Sequence, residues 1–213
     1  MTTSKLSLWN GALVALGHER ISDTGDPVKS ARELTAIHAQ TVEECIAAGS
    51  WNFAMETVKL DADTGVTPNF GFTEVFNKPA DWVRTMGVSL DEYFSFPLIH
   101  YYDDDNFLSA DSTPIYVRYV SNDTGLGFDL SRWPAQFTRF VQLELADRVC
   151  MSLTQNDRLK DRIEMDRDKA RKRALNTDAM NEAQPKFMPP GSWTLARGER
   201  AGRDRGSRGS LTG

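Results

Sequence analysis

The side chains best suited to proton transfer near neutral pH or to binding a soft metal are few: three histidines, His18, His38 and His100, and two cysteines, Cys45 and Cys150. The histidines are too scattered to predict a metal site or a Ser/His/Asp arrangement. His38 falls inside a helical pattern, where a satisfied or surface histidine is expected. The cysteines lie 105 positions apart (150 − 45), which is neither a disulfide framework nor a zinc-ribbon spacing, so a reducing compartment is expected. Glu43 and Glu44 are adjacent on a helix and diverge, a poor geometry for paired acid/base work. Asp103-Asp104-Asp105-Asn106 reads as a polar hairpin turn rather than a divalent-ion site, and Gly125-Leu126-Gly127 as a loop too short to cradle a phosphate. The sequence contains no Walker A loop, no G-x-S-x-G, no G-x-G-x-x-G after a strand and no H-E-x-x-H. No enzyme, no cofactor and no metal are therefore expected.

Composition narrows the alternatives. The 213 residues carry a net charge of −5 and are 40% hydrophobic, which suits a folded chain with a real core and excludes a uniformly basic nucleic-acid binder. The charge is uneven: residues 197–213 hold five arginines against Glu199 and Asp204, a local +3 that leaves −8 for residues 1–196. The longest strongly apolar stretch, Ala12 to Leu16, is far shorter than a bilayer span, and no signal peptide is recognisable, so a soluble protein made in the cytoplasm is expected.

The elements that would position these residues fall into three blocks. Ser4 as N-cap, Leu6, Trp9, Leu13 and Leu16 at helical spacing, and Gly17 as terminator predict a helix over 5–16. Asp26-Pro27 opens a second over 28–48, with Leu34, Ile37, Thr41, Cys45 and Ala48 along one stripe. From Trp51 to Val120, β-branched and aromatic runs broken by Gly, Pro, Asn and Asp predict strands over 53–60, 71–77, 83–90, 96–102, 106–109 and 114–121. A third helix, 131–154, is apolar over more than half its circumference and should be the centre of the core.

The helix from Asp157 to Arg173 is of another kind, with 13 of its 17 residues charged. Leu159, Ile163 and Ala170 leave only a thin apolar stripe, which predicts that this helix, with Arg167 among its charges, lies against a second subunit. The bland alternative is a solvated outer helix of the same chain. Beyond Ala183, prolines and then Gly and Arg cannot build a core. Trp193 beside Leu195 is the odd feature there, predicting an anchor for a partner's pocket; a Trp folded back on its own chain is the alternative.

Several blocks occur together in order: Leu8-Trp9-Asn10-Gly11-Ala12-Leu13 through Gly17, Gly49-Ser50-Trp51-Asn52-Phe53-Ala54, Pro79-Ala80-Asp81-Trp82-Val83-Arg84, Ile115-Tyr116-Val117-Arg118-Tyr119-Val120, and Gly191-Ser192-Trp193-Thr194-Leu195-Ala196-Arg197. In this the chain resembles the tail tubular protein A family, the head-to-tail adaptors of short-tailed bacteriophages, over most of residues 5–197. The resemblance implies a virion protein of the tail connector, assembled in the host cytoplasm. It would form a homo-oligomeric ring, typically a dodecamer, between the portal protein and a tail nozzle of the tail tubular protein B kind. Double-stranded DNA would pass through the lumen without specific recognition, and no membrane is involved.

The fold expected is α+β and mainly helical: an antiparallel helix bundle with an inserted antiparallel β-sheet region and an extended C-terminal arm. The divisions expected are 1–50 and 129–184 for the bundle, 51–128 for a β-rich insertion facing the tail, and 185–213 for the arm. Portal contacts are assigned to Trp193, Leu195, Arg197, Arg200 and Arg203, and the subunit interface to Leu159, Ile163, Arg167 and Ala170. The rival readings are a DNA-binding or packaging accessory module, a head-completion stopper of a long-tailed phage, and, more remotely, a cell-wall hydrolase. The last would need a pair of carboxylates in one pocket.

Overall fold

The computed structural model describes residues 4–68 and 71–181. The chain from Met1 to Ala179 forms one compact unit, and of the second, Met180–Gly213, only Met180 and Asn181 are described. The expected arm over 185–213 therefore lies outside the described residues. The fold is α+β, with four α-helices and two three-stranded antiparallel sheets among the described residues.

Helix α1, Lys5–Ala15, opens on a reciprocal capping box: the Ser7 amide donates to Ser4 Oγ at 3.1 Å and the Ser4 amide to Ser7 Oγ at 2.9 Å. It buries Leu8, Trp9, Ala12 and Leu13 and stops at Gly17, whose φ of +69° lets the His18 amide return to the Leu13 carbonyl. Helix α2, Lys29–Ala47, is not capped by Asp26, as the Asp-Pro signal had predicted. The Asp26 carboxylate instead accepts from the amides of Ser22 and Asp23, closing the preceding turn, and Val28 stands at the N-cap with no side-chain bond. Gly49 follows because it has no room for more: an added Cβ would lie 2.8 Å from both the Trp51 ring and Leu175.

After a short 3-10 turn, Asn52–Ala54, the sheets are built from β1 (Met55–Leu60), β2 (Glu74–Asn77), β3 (Trp82–Ser89), β4 (Tyr102–Asp103), β5 (Phe107–Ala110) and β6 (Ile115–Ser121). One sheet runs β1-β6-β3, the other β2-β5-β4. Val117 on the central strand β6 faces Val58 on one side and Val88 on the other. The two sheets share an apolar cluster of Phe76, Val88, Leu108, Ala110, Ile115 and Val117, while Val120, near the end of β6, belongs to the helical core. The insertion thus has a core of its own and joins the helical one through Ala54 and Val120.

The strand expected over 96–102 does not form. Only an isolated bridge, Ser89 to Pro97, and the two residues of β4 pair there, because Pro97 withholds a donor and the aromatic side chains around it point into solvent.

Helix α3, Ala135–Thr154, starts four residues later than expected, since Asp129 Oδ1 holds the amide and hydroxyl of Ser131 in a turn and Pro134 becomes the N-cap. It buries Phe137, Phe140, Val141, Leu143, Leu145, Ala146, Val149 and Cys150. Gln155, at φ 51°, links it to helix α4, Asp157–Asn181, where Asn156 Oδ1 accepts from the Leu159 amide.

Candidate interaction surfaces

The stripe on α4 is turned toward its own chain. Ile163 and Ala170 are buried in the core of their own chain, and Leu159 is packed against it. Ile163, Ala170 and Ala174 of α4 join the same apolar core as the buried residues of α3. Of the four residues assigned to a subunit interface, Ile163 and Ala170 are thus enclosed by their own chain, while Leu159 is only partly buried and Arg167 keeps part of its side chain exposed.

Arg167 ties α4 to α3. Its Nη1 donates to Asp147 Oδ2 at 2.8 Å, its guanidinium reaches Glu144 at 3.7 Å, and Lys160 Nζ meets Asp147 Oδ1 at 2.6 Å. Arg148 continues the seam to Glu144 at 3.2 Å and to Glu44 on α2. Asp147 is buried, so the thin stripe is flanked by a carboxylate with two cations. Farther along, the Asn52 amide donates to Asp178 Oδ2 and Asn52 Nδ2 to the Asp178 carbonyl, tying α4 to the entry of the insertion. Burial pushes the Cys45 thiol beneath this seam well above its ordinary value, which removes it as a nucleophile.

His38 is held within its own chain. Trp9 Nε1 donates to His38 Nδ1 at 3.1 Å, and burial, with the Lys5 ammonium nearby, lowers its pKa to about 4. Its folded value lies below the unfolded one, so its contribution is whole above pH 6.5 and is lost as pH falls toward 4. Thermal melts between pH 7 and 4 should show stability falling over that window, and His38→Gln should flatten the slope; an unchanged slope in the variant would show that other groups set it.

The acidic turn 103–106 holds a cation of the chain's own. Lys78 Nζ lies 2.5 Å from Asp103 Oδ1 and donates also to the carbonyls of Asp104 and Asp105, while Thr85 Oγ1 donates to Asp103 Oδ2 at 2.5 Å. Two carboxylates, Glu56 and Asp81, do converge on the Tyr119 hydroxyl, each at 3.2 Å. Ser121 Oγ also donates to Asp81, and Trp82 stacks on Tyr119 at 4.2 Å and 5°. Burial, then Asp81 and Glu56, raise the Tyr119 pKa, so the phenol stays protonated and latches β6 to the residues before β3.

Sequence reasoning missed the segment between β3 and β4. There Tyr93, Phe96 and Ile99 are 79%, 66% and 89% exposed, with Leu90 and Tyr102 beside them also in solvent. The loop is nonetheless tightly held. Asp91 accepts from Ser89 Oγ at 2.7 Å, the Phe96 amide at 2.9 Å and the Ser95 amide at 3.1 Å; against the desolvation that would raise it, these bonds bring its pKa down to about 2. The Leu90 amide donates to the Phe96 carbonyl and the Leu98 amide to the Val88 carbonyl. Phe94 takes a left-handed φ of 56° with the Arg118 guanidinium 4.7 Å over its ring. The legible signal is Asp91 with Ser95 and Pro97 beyond it, at the break between the strands expected over 83–90 and 96–102.

The described residues define a mixed α+β fold. The chain matches no protein-family model and no curated protein. Among the described residues no group of three or more His, Cys, Asp or Glu could hold a metal ion, and no helix is long and apolar enough to cross a membrane. Trp193, Leu195, Arg197, Arg200 and Arg203 lie outside the described residues.

Proposed function

We propose that this chain is a structural adaptor subunit of a bacteriophage head-to-tail connector, forming a ring that joins the portal to the tail nozzle and lines the DNA conduit. The observation that carries the reading is the division of the fold: a helical core built from both flanks of the chain, interrupted by a sheet insertion with an apolar cluster of its own. That is the organisation the family resemblance implies. Blocks of the resemblance that lie among the described residues fall where the fold is decided, with Trp9 and Trp51 buried in the helical core and Ile115 and Val117 buried in the insertion's cluster.

The net charge suits the task. A strongly basic lumen would hold a sliding polyanion through phosphate contacts, whereas an acidic or mixed wall lets it pass. The contact across the portal is assigned to Trp193, Leu195, Arg197, Arg200 and Arg203. Electron micrographs of the purified protein mixed with portal rings test the reading: closed rings stacked on portal are expected. Trp193→Ala should weaken that docking at least tenfold while circular dichroism stays unchanged. Monomers that ignore portal but bind duplex DNA with a steep salt dependence would replace this reading with that of a packaging accessory module.

A further inference from the structure

We infer that the Leu90–Tyr102 loop is a preformed docking element for a protein surface that offers an apolar recess rimmed by lysine and arginine. Exposed large apolar side chains elsewhere on the described chain are scattered, which is ordinary. Here five fall within thirteen positions, and three of them, Tyr93, Phe96 and Ile99, are 79%, 66% and 89% exposed. Such concentration marks a contact site.

The loop is also shaped in advance. Asp91 knits both ends of its turn together, Arg118 covers Phe94, and Lys78 with Thr85 fixes the acidic turn where the loop ends. Holding Phe94 in a left-handed backbone is unfavourable for a bulky residue, and nothing in the insertion's core requires it, since the ring lies outside that cluster. Little ordering entropy remains to be lost on docking.

Charge selects the occupant. From position 90 to position 111 the chain carries six carboxylates, Asp91, Glu92, Asp103, Asp104, Asp105 and Asp111, and no lysine or arginine. Asp91 and Asp103 are engaged within the insertion and Glu92, Asp104 and Asp105 are exposed; the cations that face this stretch, Lys78 on the acidic turn and Arg118 over Phe94, are outnumbered by its carboxylates. An anionic bilayer would be repelled by this rim, and a second copy of the same loop would meet its own charge. A partner with basic residues around an apolar recess is favoured on both counts.

Which protein carries that recess rests on the connector reading above; the surface itself does not. The test uses the full chain, F96S/I99S and E92K/D104N/D105N, each checked for unchanged circular dichroism. Each is titrated with the purified portal protein, with the purified tail nozzle protein, and with vesicles of zwitterionic and of anionic lipid. One of the two proteins should bind the wild type. Both variants should lose at least tenfold in affinity, the charge variant should show a flatter salt dependence, and no vesicle should bind. Wild-type affinity in both variants overturns the inference, and so does vesicle binding abolished by F96S/I99S. If rings still stack on portal in that case, the connector reading survives alone; if no ring forms and neither protein binds, both fall.

Discussion

Trp51→Ala should lower the unfolding free energy by about 4 kcal/mol, within the range for removing a large buried aromatic. Trp51 is fully enclosed, 4.7 Å from the Phe137 ring and 6.4 Å from that of Phe140, with Phe53 stacked on its other side. Its Nε1 donates to the Cys45 carbonyl at 2.9 Å, near the end of α2. It therefore joins α2, α3 and the start of the insertion at one point. Losing it leaves a cavity that these three elements cannot close together, because Gly49 already sits against one edge of the ring. Urea denaturation measures the effect as a drop in midpoint at unchanged slope. Trp51→Phe separates the two contributions: it keeps most of the aromatic contact and removes the indole donor, so about 1–2 kcal/mol is expected from an unpaired buried carbonyl. Equal losses in the two variants would mean that the hydrogen bond, and not the packing, carries the site.

The same residue shows what is readable in the chain. Trp and Phe after a helix-ending glycine announce a buried junction in any context, because their area forces it. The helices were equally legible: α1 and α2 agree with their predicted bounds to within a residue, since periodicity and terminators act locally. Asp26 was not legible as a turn-closing group, because whether a carboxylate caps the following helix or the preceding turn depends on which amides the backbone brings near it. Nor was the role of α4. Its stripe looked too thin to order a helix, but Asp147, a single acidic residue on the opposite helix, pairs with Lys160 and Arg167, two turns apart on α4. A charge on a buried face of α3 is the signal that such a partner exists, and only the tertiary arrangement says which. The loop between β3 and β4 failed for a related reason. A run rich in aromatic and β-branched residues predicts a strand over 96–102 only if a neighbour supplies hydrogen bonds, and there the Ser95 and Phe96 amides bond to Asp91 instead.

The helical core and the insertion are consequently held by different chemistry. Apolar packing centred on α3 builds the first, and a separate cluster between two small sheets builds the second. The seam of ions lies where α4 closes over α3, so the attachment of α4 should be the part of the helical core most sensitive to a change of charge.

Asp147→Ala is the direct measure of that attachment and should cost about 2–3 kcal/mol. Removing one member of a fully buried ion pair costs about 3–5 kcal/mol, because the other charge is stranded away from water. Here the carboxylate side chain is 8% exposed but Lys160 and Arg167 are 32% and 21% exposed, and Arg167 keeps Asp168 at 2.9 Å, so the stranded cations are partly relieved. Lys169→Ala provides the control, since its pair with Asp166 lies on the open surface of the same helix and should contribute under about 0.5 kcal/mol. In the double variant Asp147→Ala/Arg167→Ala the losses should fall short of additive by about 1 kcal/mol, the signature of a direct coupling. Amide exchange along α4 should rise in Asp147→Ala while that of α1 is little changed, because α1 packs on α3 through Leu8, Ala12 and Leu13 and not through this seam. If Asp147→Ala and Lys169→Ala cost the same, the apolar stripe of Ile163, Ala170 and Ala174 alone holds α4, and the ions merely decorate it.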